Sequence, residues 1–105
     1  MNNYLLTVND FTDPQALERR LEVRPAHFTN ARKLVDQGVL ISGGALLDDD
    51  ATANAGKGQF QGSFLILSAD SPADVMKIIE NDVYVTNKVW DLSTVKITKV
   101  LAAKF

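Results

Sequence analysis

The order of the secondary-structure signals along the chain constrains its fold most. Four runs of apolar and β-prone residues flank two segments that carry helical spacing. The four predicted strands are residues 4–8, 39–42, 64–68 and 90–100. The second helical segment starts at Ser71 and Pro72, a typical cap and first helical residue, and ends at residues 81–82. The resulting β-α-β-β-α-β order predicts an α+β sandwich, in which a four-stranded antiparallel sheet carries both helices on one face.

The first helical segment has a start signal and an apolar face. Thr12 or Asp13 can act as the N-cap, because a short oxygen-bearing side chain accepts a hydrogen bond from a free N–H of the first turn. Leu17 and Leu21 are four residues apart, which places them on the same side of a helix. We expect that side to face the core.

Pro25 interrupts this helical pattern. Proline has no N–H to donate, and its ring conflicts with the preceding turn, so we expect a break near residues 23–24. A second helix would then start at Pro25 and end at Gly38, a suitable residue for a helix C-terminus. His27 would lie in the first turn of that helix, beside unpaired backbone N–H groups that disfavour the imidazolium and favour a neutral base.

Two stretches between the second and third strands need an interpretation. Residues 48–58 contain no large apolar side chain, so we expect a mobile surface loop there. The aspartates at residues 48–50 lack the spacing of an EF-hand loop and are expected to be solvated charge. Gly43 and Gly44 match no phosphate-binding fingerprint, and they predict a tight bend or a close approach of two backbones.

Apolar residues occupy consecutive positions in three of the predicted strands, namely at residues 5–6, 39–41 and 64–67. Since side chains alternate between the two faces of a sheet, both faces of this sheet need cover. The two helices can cover only one face. The simplest cover for the other face is the same face of a second copy, and we therefore predict a homodimer, with further assembly left open. A monomer with a somewhat apolar surface is the alternative.

Composition excludes several classes of protein. A chain of 105 residues fits one domain over residues 1–105, and a net charge of −2 does not favour binding to nucleic acid. No apolar run approaches the ~20 residues that cross a bilayer, and no signal peptide is recognisable, so we expect a cytoplasmic protein. The chain has no cysteine and one histidine, a poor ligand set for zinc. We therefore expect neither a metal ion nor a cofactor.

His27 is the principal candidate for acid/base chemistry. Imidazole is the only side chain whose ordinary pKa lets it both accept and donate a proton near neutral pH. Arg20 and Arg24 precede His27 at intervals that place the three residues on one side of a helix. That side is either an edge that binds anions or a solvated basic face opposite the leucines, and spacing alone favours the solvated face.

Four short motifs occur in order along nearly the whole chain. Residues 17–28 contain an arginine and a histidine in an R-x-x-H helix start, and residues 38–45 form a glycine-hydrophobic-glycine strand. Residues 61–63 carry the G-S that opens a third strand, and residues 82–84 follow the second helix as a D-P-Y motif would, with Val83 in place of the proline. Together these motifs resemble those of the YciI-like (YCII-related) proteins.

The resemblance implies a ferredoxin-like protomer of the dimeric α/β-barrel superfamily, with a cleft between helix and sheet. The suspected catalytic pair of that family, a histidine and an aspartate, corresponds to His27 and Asp82 here. Some relatives are cofactor-free dehydrochlorinases of hydroxylated, chlorinated aromatics, whereas many members have no established activity. In this chain Arg20 or Arg24 would bind an oxyanion or carboxylate of the substrate, and the hydrogen-bonding groups beside it are expected to be Ser63 and Tyr84.

The leading hypothesis is that His27, oriented by Asp82, transfers a proton on a small cyclic or aromatic oxygenated substrate. Isomerase, lyase (dehydrochlorinase) and hydrolase chemistry are all compatible with such a step. One alternative is a non-catalytic dimeric module that holds a metabolite in the same cleft. A second is a structural dimer whose cavity is filled by side chains such as Trp90 or Tyr84. Proton transfer requires the pair to lie within hydrogen-bond distance beside an open cavity.

Overall fold

The computed structural model describes residues 1–49 and 60–103 as one antiparallel sheet with helices packed on it. The elements in chain order are β1 (Asn2–Asp10), α1 (Ala16–Asp36), β2 (Leu40–Leu47), β3 (Phe60–Ala69), α2 (Pro72–Glu80), α3 (Val83–Thr86) and β4 (Trp90–Val100). The strands lie in the order β2-β3-β1-β4, and each neighbouring pair is antiparallel. This arrangement confirms the predicted α+β, ferredoxin-like fold. The short helix α3 is an addition that the sequence patterns did not predict.

The core lies between the sheet and the helices. Alternate residues of the two central strands point into it, including Leu6 of β1 and Leu67 of β3, which are fully buried. Val75 and Ile79 of α2 pack against them. The intervening residues of β1 and β3, such as Leu5 and Ile66, occupy the opposite face and keep part of their surface exposed. One face of the sheet is therefore covered within the chain, and the other keeps apolar side chains such as Leu5 and Ile66 partly exposed.

Helix α1 is continuous through Pro25, so the predicted break near residues 23–24 is wrong. The helix begins at Ala16, later than predicted, and Gln15 occupies the cap position without a side-chain cap bond. Of the two predicted caps, Asp13 does accept a hydrogen bond of 3.2 Å at Oδ2 from the Gln15 N–H, just before the helix. An interior proline costs a helix roughly 3 kcal/mol. Contacts made by Arg20 on one side of the proline and by His27 on the other hold the two halves in line, and this tertiary packing outweighs the local preference.

The face of α1 that meets the core is not the one predicted. Its buried residues are Ala16 and Arg20, whereas Leu17 and Leu21 are only half-buried. The spacing of the leucines correctly places them on one side, but it cannot tell which side finds partners. Arg20 turns inward because an aspartate at the end of β1 is there to balance its charge. The expectation of a solvated basic face is therefore wrong for Arg20.

The predicted cap of α2 and the predicted end of α1 are confirmed. The Ser71 side chain accepts a hydrogen bond from the Asp74 backbone N–H as the cap of α2, and Gly38 has a φ of 75° after α1, as its place at a helix end requires. Residues 50–59 lie outside the described residues, so the expected loop at 48–58 stays a prediction for most of its length. Within the described ranges, no helix is long and apolar enough to cross a membrane.

Candidate active site

His27 and Asp82 form a hydrogen-bonded pair between α1 and the start of α3. The His27 Nδ1 atom lies 2.9 Å from Oδ1 and 3.0 Å from Oδ2 of Asp82. The two side chains are only 12% and 11% exposed, so little water competes for the contact. Because an ionised carboxylate can only accept, this hydrogen bond requires a proton on Nδ1, and in a ring that carries a single proton Nε2 then has the free electron pair.

The backbone at the start of α3 fixes the Asp82 carboxylate. Asp82 is the N-cap of that helix, and its Oδ1 atom accepts a hydrogen bond of 2.8 Å from the Tyr84 N–H. One carboxylate therefore caps a helix and orients the imidazole at the same time. Val83 occupies the place where the resembling motif has proline, and the cap bond sets the aspartate's position without the rigid proline ring.

Two aromatic rings hold the plane of the imidazole. The Tyr84 ring stacks on His27 with centroids 3.9 Å apart and an angle of 11° between the planes, and the Trp90 ring meets it edge-on at 5.5 Å. Both aromatic residues are almost fully buried. Burial raises the pKa of Tyr84, and the positive charges of Arg20 and Arg24 offset only part of that effect. The phenol therefore stays protonated at neutral pH.

A second cluster of polar side chains surrounds Arg20, close to the His27–Asp82 pair. The Arg20 Nη1 atom donates to both carboxylate oxygens of Asp10, at 2.9 and 2.8 Å, and Nη2 donates to Ser63 Oγ at 3.3 Å. Trp90 Nε1 donates to the same Ser63 oxygen at 3.0 Å. Burial raises the pKa of Asp10 although Arg20 acts to lower it, so the ion pair does not fully offset its desolvation. Its value lies in placing Arg20 rather than in net stability.

An open cavity of about 450 Å³ lies between α1 and the sheet. Its polar side chains are those of Arg20, Arg24, His27, Ser42, Ser63 and Tyr84, and much of the remaining lining is apolar. Phe28, which is exposed at the rim, lies under the Arg24 guanidinium at 5.1 Å from the ring centroid. Asp82 is not part of the wall, so Nδ1 faces away from the cavity and Nε2 is the nitrogen left for a ligand.

Glycines of β2 form the side of the cavity opposite the helix. Gly43 and Gly44 line it as extended backbone, so the alternative of a tight bend is wrong. The neighbouring backbone is close at Gly43, where a Cβ atom would lie 3.2 Å from the Phe64 carbonyl oxygen. A Cβ atom on Gly43 would lie 2.9 Å from Leu65 Cδ2, and one on Gly44 would lie 2.7 Å from Phe64 Cε1. The two glycines thus let β2 pack closely while leaving a flat cavity wall.

Sequence comparison identifies the family to which this chain belongs. The model of the YCII-related domain matches residues 3–99, which is nearly the whole chain. The chain is a YCII-related protein. Protein YciI of Escherichia coli (strain CFT073) is 32% identical over 93 residues, a match that covers 89% of this chain and 92% of that protein. The resemblance carried by the four short motifs is therefore confirmed at the level of the family.

A longer fungal protein is similar to most of this chain. The aspercryptin biosynthesis cluster protein B of Emericella nidulans is 25% identical over 84 residues, which is 80% of this YCII-related chain. The match covers 54% of that protein, so this chain spans about half of its length. The biosynthesis cluster in its name refers to the whole fungal protein.

Two solved structures share the fold of this YCII-related chain. One is 5-chloro-2-hydroxyhydroquinone dehydrochlorinase from Burkholderia phenoliruptrix AC1100 in complex with 2,5-dihydroxybenzoquinone, with a TM-score of 0.75, 23% identity and coverage of 96% of this chain and 95% of that one. The other is a dimeric ferredoxin-like protein of unknown function from Jannaschia sp. CCS1. Its TM-score is 0.50 at 11% identity, with coverage of 97% and 100%. At these identities the likeness shows the fold.

The structure brings the six candidate site residues of this YCII-related chain together. Five of them line the cavity, and the sixth, Asp82, lies behind the His27 ring. Their roles toward a substrate stay predictions. Two local expectations change: His27 lies in the middle of α1 rather than beside free N–H groups, and the Arg20 charge is already balanced by Asp10. Arg24 is thus the better placed cation for an anionic ligand.

For three residues at or next to the site, the sequence patterns predicted no role or left the role open. Asp10 was not singled out, because a carboxylate at the end of a strand usually marks a turn. Trp90 packs beneath the wall and donates to Ser63 rather than filling the cavity, and Phe28 stacks under Arg24 at the rim. Ser63 itself has a readable signal, since it falls at the core-facing parity of β3 shared with Leu65, where an apolar residue is the norm.

The donor set at this site suits organic ligands better than metal ions. Across residues 1–49 and 60–103, no group of three or more histidine, aspartate or glutamate side chains is close enough together to hold a metal ion. The cavity wall offers one imidazole, two guanidinium groups and three hydroxyls. Guanidinium groups bind anions and repel cations. The expectation of metal-free chemistry stays a prediction.

Proposed function

We propose that this YCII-related protein is a cofactor-independent acid/base catalyst in which His27 transfers a proton on a small cyclic or aromatic oxygenated substrate. The observation that carries this proposal is the His27–Asp82 pair on the wall of an open cavity. The geometry meets the condition that favours proton transfer over passive binding, namely a pair within hydrogen-bond distance beside a space for a ligand.

Asp82 prepares His27 to act as a base. Accepting the Nδ1 proton fixes the ring tautomer, and the carboxylate stabilises the imidazolium that forms when Nε2 takes a proton. A positioned general base typically accelerates a reaction by ~10²–10⁴-fold. That contribution suits an isomerisation or an elimination beside a carbonyl or phenol, whose C–H or O–H protons are already acidic.

Arg24 is proposed to bind the negative charge of the substrate. Its guanidinium faces the cavity and stacks over Phe28, whereas Arg20 is committed to Asp10. A guanidinium can donate two parallel hydrogen bonds to a carboxylate or to paired ring oxygens. The flat wall at Gly43 and the ring of Phe28 leave room for a planar ligand between them.

Relatives support a substrate with an oxygenated ring. The Burkholderia enzyme with the same fold is a dehydrochlorinase of a hydroxylated hydroquinone, and it was solved with a dihydroxybenzoquinone. For this chain the proposal extends to the class of ligand alone, and elimination, isomerisation and hydrolysis all remain compatible with one general acid/base.

We also propose that the protein acts as a homodimer through the open face of its sheet. Leu5, Phe64 and Ile66 lie on that face and are only partly covered within the chain. The Jannaschia protein of the same fold is dimeric. Pairing of two such faces would remove the apolar side chains from water.

The function is tested by proton exchange in the presence of a chelator. Resorcinol and cyclohex-2-enone are incubated in heavy water with the wild-type protein, and deuterium uptake at carbon is followed by NMR. We expect the wild type to accelerate uptake into at least one ligand that binds, and His27→Gln to lower that rate by about 10²-fold or more.

A matched control keeps the test specific to the site. Thr12→Ala changes an exposed side chain between β1 and α1, outside the cavity lining, and should leave the rate unchanged. Ligands that bind in the cavity without any exchange would favour the passive binding module. An unchanged rate in His27→Gln would show that the imidazole is not the base.

A further inference from the structure

We propose that the Ser63 hydroxyl is a dedicated hydrogen-bond donor for a substrate oxygen that becomes negatively charged during the reaction. This inference rests on the proposed function and deepens it, because it adds an oxyanion site to the acid/base pair. It also names the class of substrate as a carbonyl or phenol compound with an acidic hydrogen near that oxygen.

Ser63 is a buried polar group in the cavity wall. Its exposed fraction is 3%, and the buried residues Leu65 and Leu67 follow it on the same face of β3. Its oxygen accepts hydrogen bonds from Arg20 Nη2 at 3.3 Å and from Trp90 Nε1 at 3.0 Å. Among the described residues, both hydrogen bonds recorded at this hydroxyl are therefore accepted ones.

Arg20 and Trp90 can only donate hydrogen bonds to Ser63, and this determines where the Ser63 proton can go. A hydroxyl has two acceptor positions and one O–H, and neither a guanidinium nor an indole N–H can accept a hydrogen bond. The two acceptor positions of Ser63 are thus occupied by groups that cannot take its proton. Since Ser63 lines the cavity, the O–H is left to donate to whatever oxygen occupies that space.

The surroundings of Ser63 strengthen it as a donor. Accepting two N–H bonds, one of them from a charged guanidinium, polarises the hydroxyl and makes its proton a better partner for an anion. Arg20 cannot leave to bind the ligand directly, because its other nitrogen bonds both oxygens of the buried Asp10. The donor is preorganised, so it needs no rearrangement when charge develops.

Trp90 connects the oxyanion site to the base. Its indole ring contacts the His27 ring edge-on at 5.5 Å, while its N–H donates to Ser63. Since His27 and Ser63 line the same cavity, the proposal places one ligand against both groups. His27 Nε2 takes a proton from a carbon, the C–H electron pair forms a C=C bond, and the carbonyl electrons move to the oxygen held by Ser63. The proton then returns to another carbon, or leaves to solvent when a leaving group departs with its electron pair.

The test compares an anionic probe with an uncharged ring of similar size. Calorimetry measures the affinity of 4-nitrophenolate and of nitrobenzene, at a pH where the nitrophenol is ionised, for the wild type, Ser63→Ala, Ser63→Thr and the control Thr12→Ala, whose side chain is exposed and outside the cavity lining. We expect Ser63→Ala to lose about tenfold or more in phenolate affinity, because it lacks a hydrogen bond to a charged group, and to keep its nitrobenzene affinity. The other two variants retain a donor at residue 63 and should keep the preference for phenolate.

Equal loss of both ligands in Ser63→Ala would assign the serine a purely structural role and overturn the proposal, as would a wild type that binds both ligands equally well. If Ser63→Ala does not fold, Ser63→Cys provides the same comparison, because a thiol is only a weak donor. His27→Gln separates this inference from the proposed function. That variant keeps the phenolate preference if Ser63 is the donor, whether or not it still exchanges protons.

Discussion

At the scale of single residues, the site depends on side chains whose surroundings favour one protonation state. Tyr84 illustrates this. Burial raises its pKa above the ordinary value of 10.0, although two arginines act in the opposite direction. The folded protein therefore holds the phenol proton more tightly than the unfolded chain does. The free energy of unfolding consequently falls as the pH rises above about 10.

This ionisation is measurable because the chain has only two tyrosines. An ultraviolet titration of the folded protein should show a late tyrosinate phase above pH 10, and Tyr84→Phe should remove that phase. A late phase that survives in Tyr84→Phe would contradict the assignment.

The residues of the site were easier to name than their partners. Matching motifs pointed to His27 and Asp82 although 55 positions separate them, and the structure places them in contact. Charge balance was not predictable in the same way. Nothing local distinguishes Arg20, which is buried against Asp10, from Arg24, which faces the cavity. Only the position of the end of β1 under the helix decides between them.

At the scale of elements, α1 carries the strongest conflict between local preference and tertiary structure. Pro25 removes a hydrogen bond from the interior of a helix that is held on both sides of it. Pro25→Ala should restore that bond. It should stabilise the protein by about 1–2 kcal/mol, after allowance for the greater entropy of the unfolded alanine chain. Urea unfolding measures the change, and a variant no more stable than the wild type would show that the proline is accommodated without cost.

Removing the carboxylate from the buried ion pair between β1 and α1 should destabilise the protein far more than removing the carboxylate from the neighbouring exposed pair. The Arg20–Asp10 side chains are 7% and 10% exposed, against 29% and 42% for Arg19–Asp13. Asp10→Asn leaves a buried guanidinium without its counter-charge and should cost about 3 kcal/mol in urea unfolding. Asp13→Asn is the matched control and should change stability much less. Equal effects of the two variants would contradict the importance assigned to burial.

The exposed pair has a pH signature of its own. The Arg19 hydrogen bond lowers the pKa of Asp13 to about 2 from 3.8. Its contribution to stability is therefore present above pH 3.8 and is lost as the pH falls toward 2, and Asp13→Asn should lack this component of acid sensitivity.

At the scale of the whole molecule, the helices cover only one of the two faces of the sheet. The element order and the consecutive apolar residues predicted this from the sequence, because strand periodicity is a local property that tertiary structure seldom overrides. The continuity of α1 was not predictable in this way, since it depends on contacts with strands distant in sequence.

The proposed dimer is tested on that open face. Ile66→Glu introduces a charge opposite Leu5 and should shift the protein from dimer to monomer in sedimentation equilibrium at micromolar concentration. Ala73→Glu adds the same charge on the exposed surface of α2 and should leave the dimer intact. A wild-type protein that sediments as a monomer would contradict the proposal.

The central claim is that His27 and Asp82 act as one unit in proton transfer. A double-mutant cycle on the deuterium-exchange rate tests it, with Asp82→Asn chosen because asparagine still caps α3. Alone, Asp82→Asn should slow exchange by on the order of 10²-fold, since the tautomer and the imidazolium lose their support. In the His27→Gln background it should have no further effect. If Asp82→Asn lowered the residual rate of His27→Gln by the same factor, the two residues would act independently and the account would be wrong.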